Sequence, residues 1–216
     1  MIYEGFTIGG KHTYRDWGLR CYDYKITFPE SQKSLIQIPG RNGKIDVALP
    51  QQREAYGHRT ISIYCDAPDR NYKEWVQIIS DIANHVQDEY LPVIPDFDEN
   101  YYYRGWIKLE VSKDFKEGSD IVFSIDAEPY KLKSEVTIVE ADVDGETTVV
   151  LNNDKLKVNP KLTTDADIKI LIGGNNETEY KKGIYAKAGF ILPSGATTLT
   201  LKGAAHVKFE YQEGRL

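Results

Sequence analysis

Apolar and polar positions alternate along most of this chain. Residues 3–8 and 19–28 read as strands, and Gly9-Gly10 reads as a tight turn into a short strand through His12 and Tyr14. Residues 53–65 form a longer run, with Ile61, Ile63 and Cys65 on one face and Thr60, Ser62 and Tyr64 on the other. The period then changes. Trp75, Ile78, Ile79, Ile82, Ala83 and Val86 recur at three- and four-residue spacing, which predicts one amphipathic helix over Tyr72–Val86. Asn71 is placed to cap it and Glu74 to complete a capping box. Lys73, Gln77, Asp81 and Asn84 fall on its polar face. An isolated helix of this length is marginal in water, so its apolar stripe must pack on a sheet.

Pro92 and Pro95 are expected to break the pattern before strands at 101–111 and 120–127, and Pro129 to close the segment. From Lys133 on, short strands are expected at 135–140, 147–151, 168–172, 183–187, 197–202 and 206–211. The turn signals between them include Asp144-Gly145, Gly173-Gly174-Asn175-Asn176 and Pro193-Ser194-Gly195. Close-set short strands without a helical period read as a sandwich or jelly roll. The fold class expected is mainly β, a β-rich α+β chain: an N-terminal barrel-like sheet domain with one packed helix, then a β-sandwich.

One stretch organises the first part. In Ile38-Pro39-Gly40-Arg41-Asn42-Gly43-Lys44, Pro39 cannot donate to a ladder, so the strand arriving through Ile36 and Ile38 ends there. Gly40 takes a positive φ freely, and Asn42-Gly43 is the dipeptide favoured where two successive residues need one. Ile45, Val47 and Leu49 then return at period two. The chain is expected to reverse at a cationic tip carrying Arg41 and Lys44. An ordinary surface hairpin is the plain alternative.

Composition sharpens the division. The net charge of −6 falls on residues 1–130, while 131–216 balance; all three Trp and all but three of the 15 Tyr also lie in the first part. The boundaries expected are therefore 1–130 and 131–216. An acid excess disfavours tight binding to nucleic-acid phosphates. Cys21 and Cys65 show no C-x-x-C spacing and read as buried free thiols. The start of the chain lacks the pattern of a secretion signal, and no apolar run approaches a membrane span. A chain made in a cytosol, or carried out within an assembly, is expected.

Candidate chemistry is thin. No phosphate loop, nucleophile elbow or His-Glu-x-x-His occurs. His12, His58, His85 and His206 lie far apart. The run Asp96-Phe97-Asp98-Glu99-Asn100 begins like a calcium loop but has Tyr101 where the turn needs Gly and Ile107 where a Glu should stand. No catalytic residue, cofactor or metal site is expected.

The opening Gly5-Phe6-Thr7-Ile8-Gly9-Gly10-Lys11-His12 with Asp16-Trp17-Gly18-Leu19, the Ile38–Gly43 turn, Asp126-Ala127-Glu128-Pro129-Tyr130 and the close after His206 resemble, in order and spacing, the distal tail protein family of siphophages. The resemblance implies a structural, non-enzymatic virion protein at the phage tail tip, made in the bacterial host cytoplasm. Six copies would form a homo-hexamer ring through residues 1–130. That ring would join the tail tube protein to a tail-tip hub or tail-associated lysin protein, with DNA present only in transit and no membrane partner. Residues 131–216 would be a galectin-like β-sandwich. Candidate interface residues are Ile38, Pro39, Gly40, Arg41, Asn42, Gly43 and Lys44 of the hairpin, with Tyr101, Tyr102 and Tyr103; a buried strand end is the alternative reading of the three tyrosines. The runner-up function is a stand-alone carbohydrate-binding module for host cell-wall sugar. Residues 131–216 weaken it, having no Trp and no His-x-Asn-x-Arg strand of the kind galectins use.

Overall fold

The computed structural model describes residues 5–33, 35–46, 55–67, 71–114, 118–173 and 176–216. Among the described residues the chain is mainly β with one α-helix, in line with the periodicities. It divides into two compact units, residues 1–131 with Leu216, and residues 132–215.

The first unit contains β1 (Phe6–Ile8), β2 (Lys11–His12), β3 (Arg20–Ile26), β4 (Ser31–Gln32), β5 (Leu35–Gln37), β6 (Lys44–Asp46), β7 (Ala55–Tyr56) and β8 (Arg59–Asp66). The helix α1 (Tyr72–Val86) follows, then β9 (Tyr90–Pro95), β10 (Tyr101–Asp114) and β11 (Gly118–Ala127). Seven of these strands make an antiparallel sheet in the order β2-β1-β9-β10-β11-β8-β3. Period two sets its register. Ile107 lies opposite Ile125, which lies opposite Ile61; Leu109, Phe123 and Ile63 form the next row. A register slip of one residue would send these rows to solvent. Trp17 stacks on Phe123 with ring centroids 5.9 Å apart, and α1 brings Trp75, Ile82 and Val86 into the same core.

The helix forms where its caps and stripe predict. Asn71 Oδ1 accepts the Glu74 N–H at 3.0 Å, and the Glu74 carboxylate accepts the Asn71 N–H. At the other end Gln87 donates its N–H to Ala83 O, and Asp88 turns the chain away at φ 56°. Ile82 and Val86 are fully buried, each contributing about 1.5–3 kcal/mol by leaving water.

Pro92 and Pro95 do not interrupt the sheet; they lie within β9. Pro92 O accepts the Gly9 N–H, so its nitrogen points towards β1 where the β1 ladder has given way to the Gly9 turn. No ladder donor is lost. Pro95 comes after the β10 ladder has ended at Val93 opposite Tyr103.

The strand β12 (Lys131–Lys133) spans the boundary, and the second unit holds β13 (Thr137–Asn153), β14 (Lys161–Thr164), β15 (Ile168–Ile172), β16 (Asn176–Tyr180), β17 (Gly183–Tyr185), β18 (Gly195–Tyr211) and β19 (Gly214–Arg215). The short strands expected at 135–140 and 147–151 are parts of one strand, β13, and those at 197–202 and 206–211 are parts of β18. Asp144-Gly145 is not a chain reversal. Gly145 (φ 83°) lies opposite Gly203 (φ 146°) midway along the β13/β18 ladder. Backbone angles reserved for glycine on both strands let the ladder bend without breaking. Beyond the bend β18 pairs with β14 on one side of Gly203, and with β15 on the other. Both arms feed one core, with Leu199 and Leu201 from one and Val207 and Phe209 from the other. A bent strand serving two layers is a known way to make a sheet corner.

Candidate functional site

The hairpin exists, with a turn chemistry other than the one expected. β5 and β6 pair as Leu35↔Asp46, Ile36↔Ile45 and Gln37↔Lys44, so the connection is residues 38–43. Arg41 donates its N–H to Ile38 O at 3.2 Å, closing a turn with Pro39 and Gly40 at its centre. Gly40 takes φ 82°, which makes this a Pro-Gly turn of type II. Gly43 takes φ 84°, but Asn42 keeps a negative φ, so Asn42-Gly43 is not a two-residue turn. A Pro-Gly turn outcompetes it because Pro39 presets one angle and Gly40 supplies the other. Val47 and Leu49 lie outside the described residues. From Leu35 to Lys44 every described residue is exposed, including Leu35, Ile36 and Ile38.

Below the hairpin β4 pairs with β7, Ser31 opposite Tyr56, and below that Thr27 exchanges hydrogen bonds with Thr60 at the end of β3 and β8. Beside it Arg59 is buried, and its Nε and Nη2 have no hydrogen-bond partner among the described residues. Its guanidinium lies 5.7 Å from the Phe28 ring and 5.5 Å from the Tyr103 ring, and burial lowers its pKa. Phe28 itself is 79% exposed.

The tyrosine run divides by period two. Tyr101 and Tyr103 are buried, under Lys131 and Arg59 respectively, and Tyr102 is half-buried beside Arg104. Of the three, Tyr102 alone turns a partly open face outward.

A second aromatic surface was not singled out from the sequence. β3 ends the sheet path and pairs with β8. Its register shifts between Cys21 and Asp23, a bulge that re-aims the side chains. Tyr22 turns to Tyr64 and donates its hydroxyl to Asp120 at 3.0 Å; desolvation and that carboxylate push its pKa up to about 12. Tyr24 turns the other way and stacks on Phe97 at 4.9 Å, with Phe6 edge-on to both. Tyr22, Tyr24, Phe28 and Phe97 are all exposed. The aromatic residues were legible in the sequence, but a bulge leaves no period to detect.

The four histidines take separate partners: His12 with Asp96, His58 with Asp126, His85 with Gly9 O and His206 with Asp142. His12 accepts the Tyr14 and Arg15 N–H groups at Nδ1, so it donates from Nε2 to Asp96, which also accepts the Gly5 N–H. Asp98 binds Lys131 at 2.6 Å. The acidic run thus ties chain segments together. Among the described residues no cluster of three such groups could hold a metal ion, and no helix is long and apolar enough to cross a membrane.

No protein-family model matches the sequence. No curated protein matches it either. The fold, in contrast, is similar to that in the crystal structure of SPP1 Dit (gp 19.1), described as a paradigm of the hub adsorption apparatus in phages infecting Gram-positive hosts. The TM-score is 0.72 over 100% of both chains, at 11% sequence identity.

Proposed function

We propose that the chain is a structural protein of a siphophage tail tip, a distal tail protein whose six copies close into a ring. The likeness to SPP1 Dit over the full length of both chains carries this reading. In it, residues 1–130 build the ring and residues 131–216 form a galectin-like domain. The ring joins the tail tube protein to the tail-tip hub or tail-associated lysin protein. DNA passes through it only in transit, no membrane is engaged, and the protein resides in the virion.

Physical features of the first unit support the reading. A cyclic oligomer needs two different surfaces that fit each other. The exposed Tyr22 and Tyr24 of β3 and the exposed hairpin with Leu35, Ile36 and Arg41 offer two such surfaces, the first with the aromatic content and the second with the arginine that interfaces favour. Acid excess in residues 1–130 suits a channel that must not hold DNA. The carbohydrate reading gains nothing: in the groove lined by Thr178, Lys187 and Gly189 the aromatics Tyr180 and Phe190 are buried, leaving no stacking platform for a sugar there among the described residues. Light scattering on concentrated protein, repeated with the tail tube protein added, tests the proposal. A hexamer in either sample is expected; monomer in both overturns it.

A further inference from the structure

Cys21 on β3 lies directly opposite Cys65 on β8, with Sγ atoms 2.9 Å apart. Their side chains differ in surroundings. Cys65 is fully buried. Cys21 is half-buried and lines a small opening with Gly5, Phe6, Tyr24 and Phe97. Cys21 also reaches the Thr13 hydroxyl at 3.4 Å. They are the only two cysteines of the chain.

We propose that Cys21 and Cys65 form an oxidisable dithiol, a modification site at which a small peroxide closes a disulfide between β3 and β8. Directly opposed residues on antiparallel strands are within the Cα spacing a disulfide spans. The asymmetry of the pair assigns the roles. The hydrogen bond between the two sulfurs lowers the Cys21 pKa, while that bond and burial raise the Cys65 pKa. The thiolate is the nucleophile. Cys21 thiolate attacks one peroxide oxygen; the O–O bond breaks, hydroxide leaves and Cys21 becomes a sulfenic acid. The Cys65 sulfur then attacks the Cys21 sulfur. The S–S bond forms, the S–O bond breaks, and hydroxyl departs with the Cys65 proton as water. In sum, two thiols and one peroxide give a disulfide and two waters.

The consequence is structural. β3 is the last strand of its sheet path, and its aromatics Tyr22 and Tyr24 flank the bulge next to Cys21. A bond to β8 would hold that edge and close a covalent loop around the whole hairpin arm. In reducing surroundings the pair stays open, and in oxidising ones it closes.

The test uses the intact, folded chain with dilute hydrogen peroxide, then alkylation in denaturant, intact mass and a non-reducing peptide map. Both thiols should disappear together, the mass should fall by two hydrogens, and one peptide pair should link Cys21 to Cys65. The folded chain should close at least tenfold faster than the same chain treated in urea. In Cys65→Ser the reaction should stop at a Cys21 sulfenic acid that dimedone traps. Two intact thiols, a chain-to-chain disulfide, or sulfinic and sulfonic products without the linked pair would overturn the proposal. The wild-type map decides the matter even where the variant does not fold.

Discussion

Gly105 sits where β10 passes so close to β11 that no side chain fits. A Cβ there would stand 2.4 Å from Asp126 O, 2.6 Å from Ala127 Cα and 2.8 Å from Asp126 C. All three atoms are backbone, so no flexible side chain can step aside. Ordinary carbon–carbon contact needs ~3.5 Å, so β11 would have to retreat by roughly 0.9 Å in Gly105→Ala. That lengthens ladder hydrogen bonds of about 2.9 Å beyond useful range. Two weakened bonds cost about 1 kcal/mol each and overpacking adds about 1–3 kcal/mol. The lower chain entropy of unfolded Ala returns about 0.4–1 kcal/mol. The net expectation is a loss of roughly 2–4.5 kcal/mol. All three Trp lie in the first unit, so urea unfolding followed by Trp fluorescence reads that unit. The midpoint should fall with the slope unchanged. Gly57→Ala, where the nearest atom is 3.6 Å away, is the control and should stay within ~0.5 kcal/mol. If Gly105→Ala also stays within that range, the packing argument is refuted.

Three further outcomes are expected. Arg41→Glu at the exposed hairpin tip should leave thermal stability unchanged but weaken ring or tail joining at least tenfold by sedimentation; unaltered assembly would reduce the hairpin to a surface turn. Gly43→Val has open space around it, so its cost is the φ of 84° alone, about 1–3 kcal/mol of local strain, visible as altered amide shifts confined to the hairpin. His206 donates to Asp142, with Glu140 and Asp165 also nearby, and its pKa is raised. Because the folded value exceeds the unfolded one, the stabilisation is full below about pH 6.5 and fades as pH rises through the folded pKa. An NMR titration should find the raised value in the native chain and lose it in Asp142→Asn.

Much of the fold is legible in local pattern. The helix could be bounded to the residue because its caps and stripe are local: Asn71 reaches Glu74, and Trp75 to Val86 repeat within one element. Ile61, Ile63 and Cys65 alternate as a strand must once one of its faces is buried. The exposed hairpin was legible for the same reason, since Pro39 and Gly40 constrain their own backbone whatever surrounds them. Its turn was misassigned between two local signals, and the Pro-Gly pair prevailed over Asn-Gly.

What sequence alone could not decide depends on partners distant in the chain. Pro92 looks like a strand breaker until β1 ends beside it and leaves no ladder bond to lose. Asp144-Gly145 looks like a reversal until Gly203 lies opposite and the two strands bend together. The bulge at Tyr22 is set by its register against β8, so only the pairing shows which way Tyr22 and Tyr24 face. Residues 21 and 65 carry no spacing that marks them as a pair; the antiparallel register alone brings their sulfurs together. Local backbone preference and periodicity belong to neighbours in sequence, whereas register, corners and opposed side chains arise only when strands far apart in the chain meet.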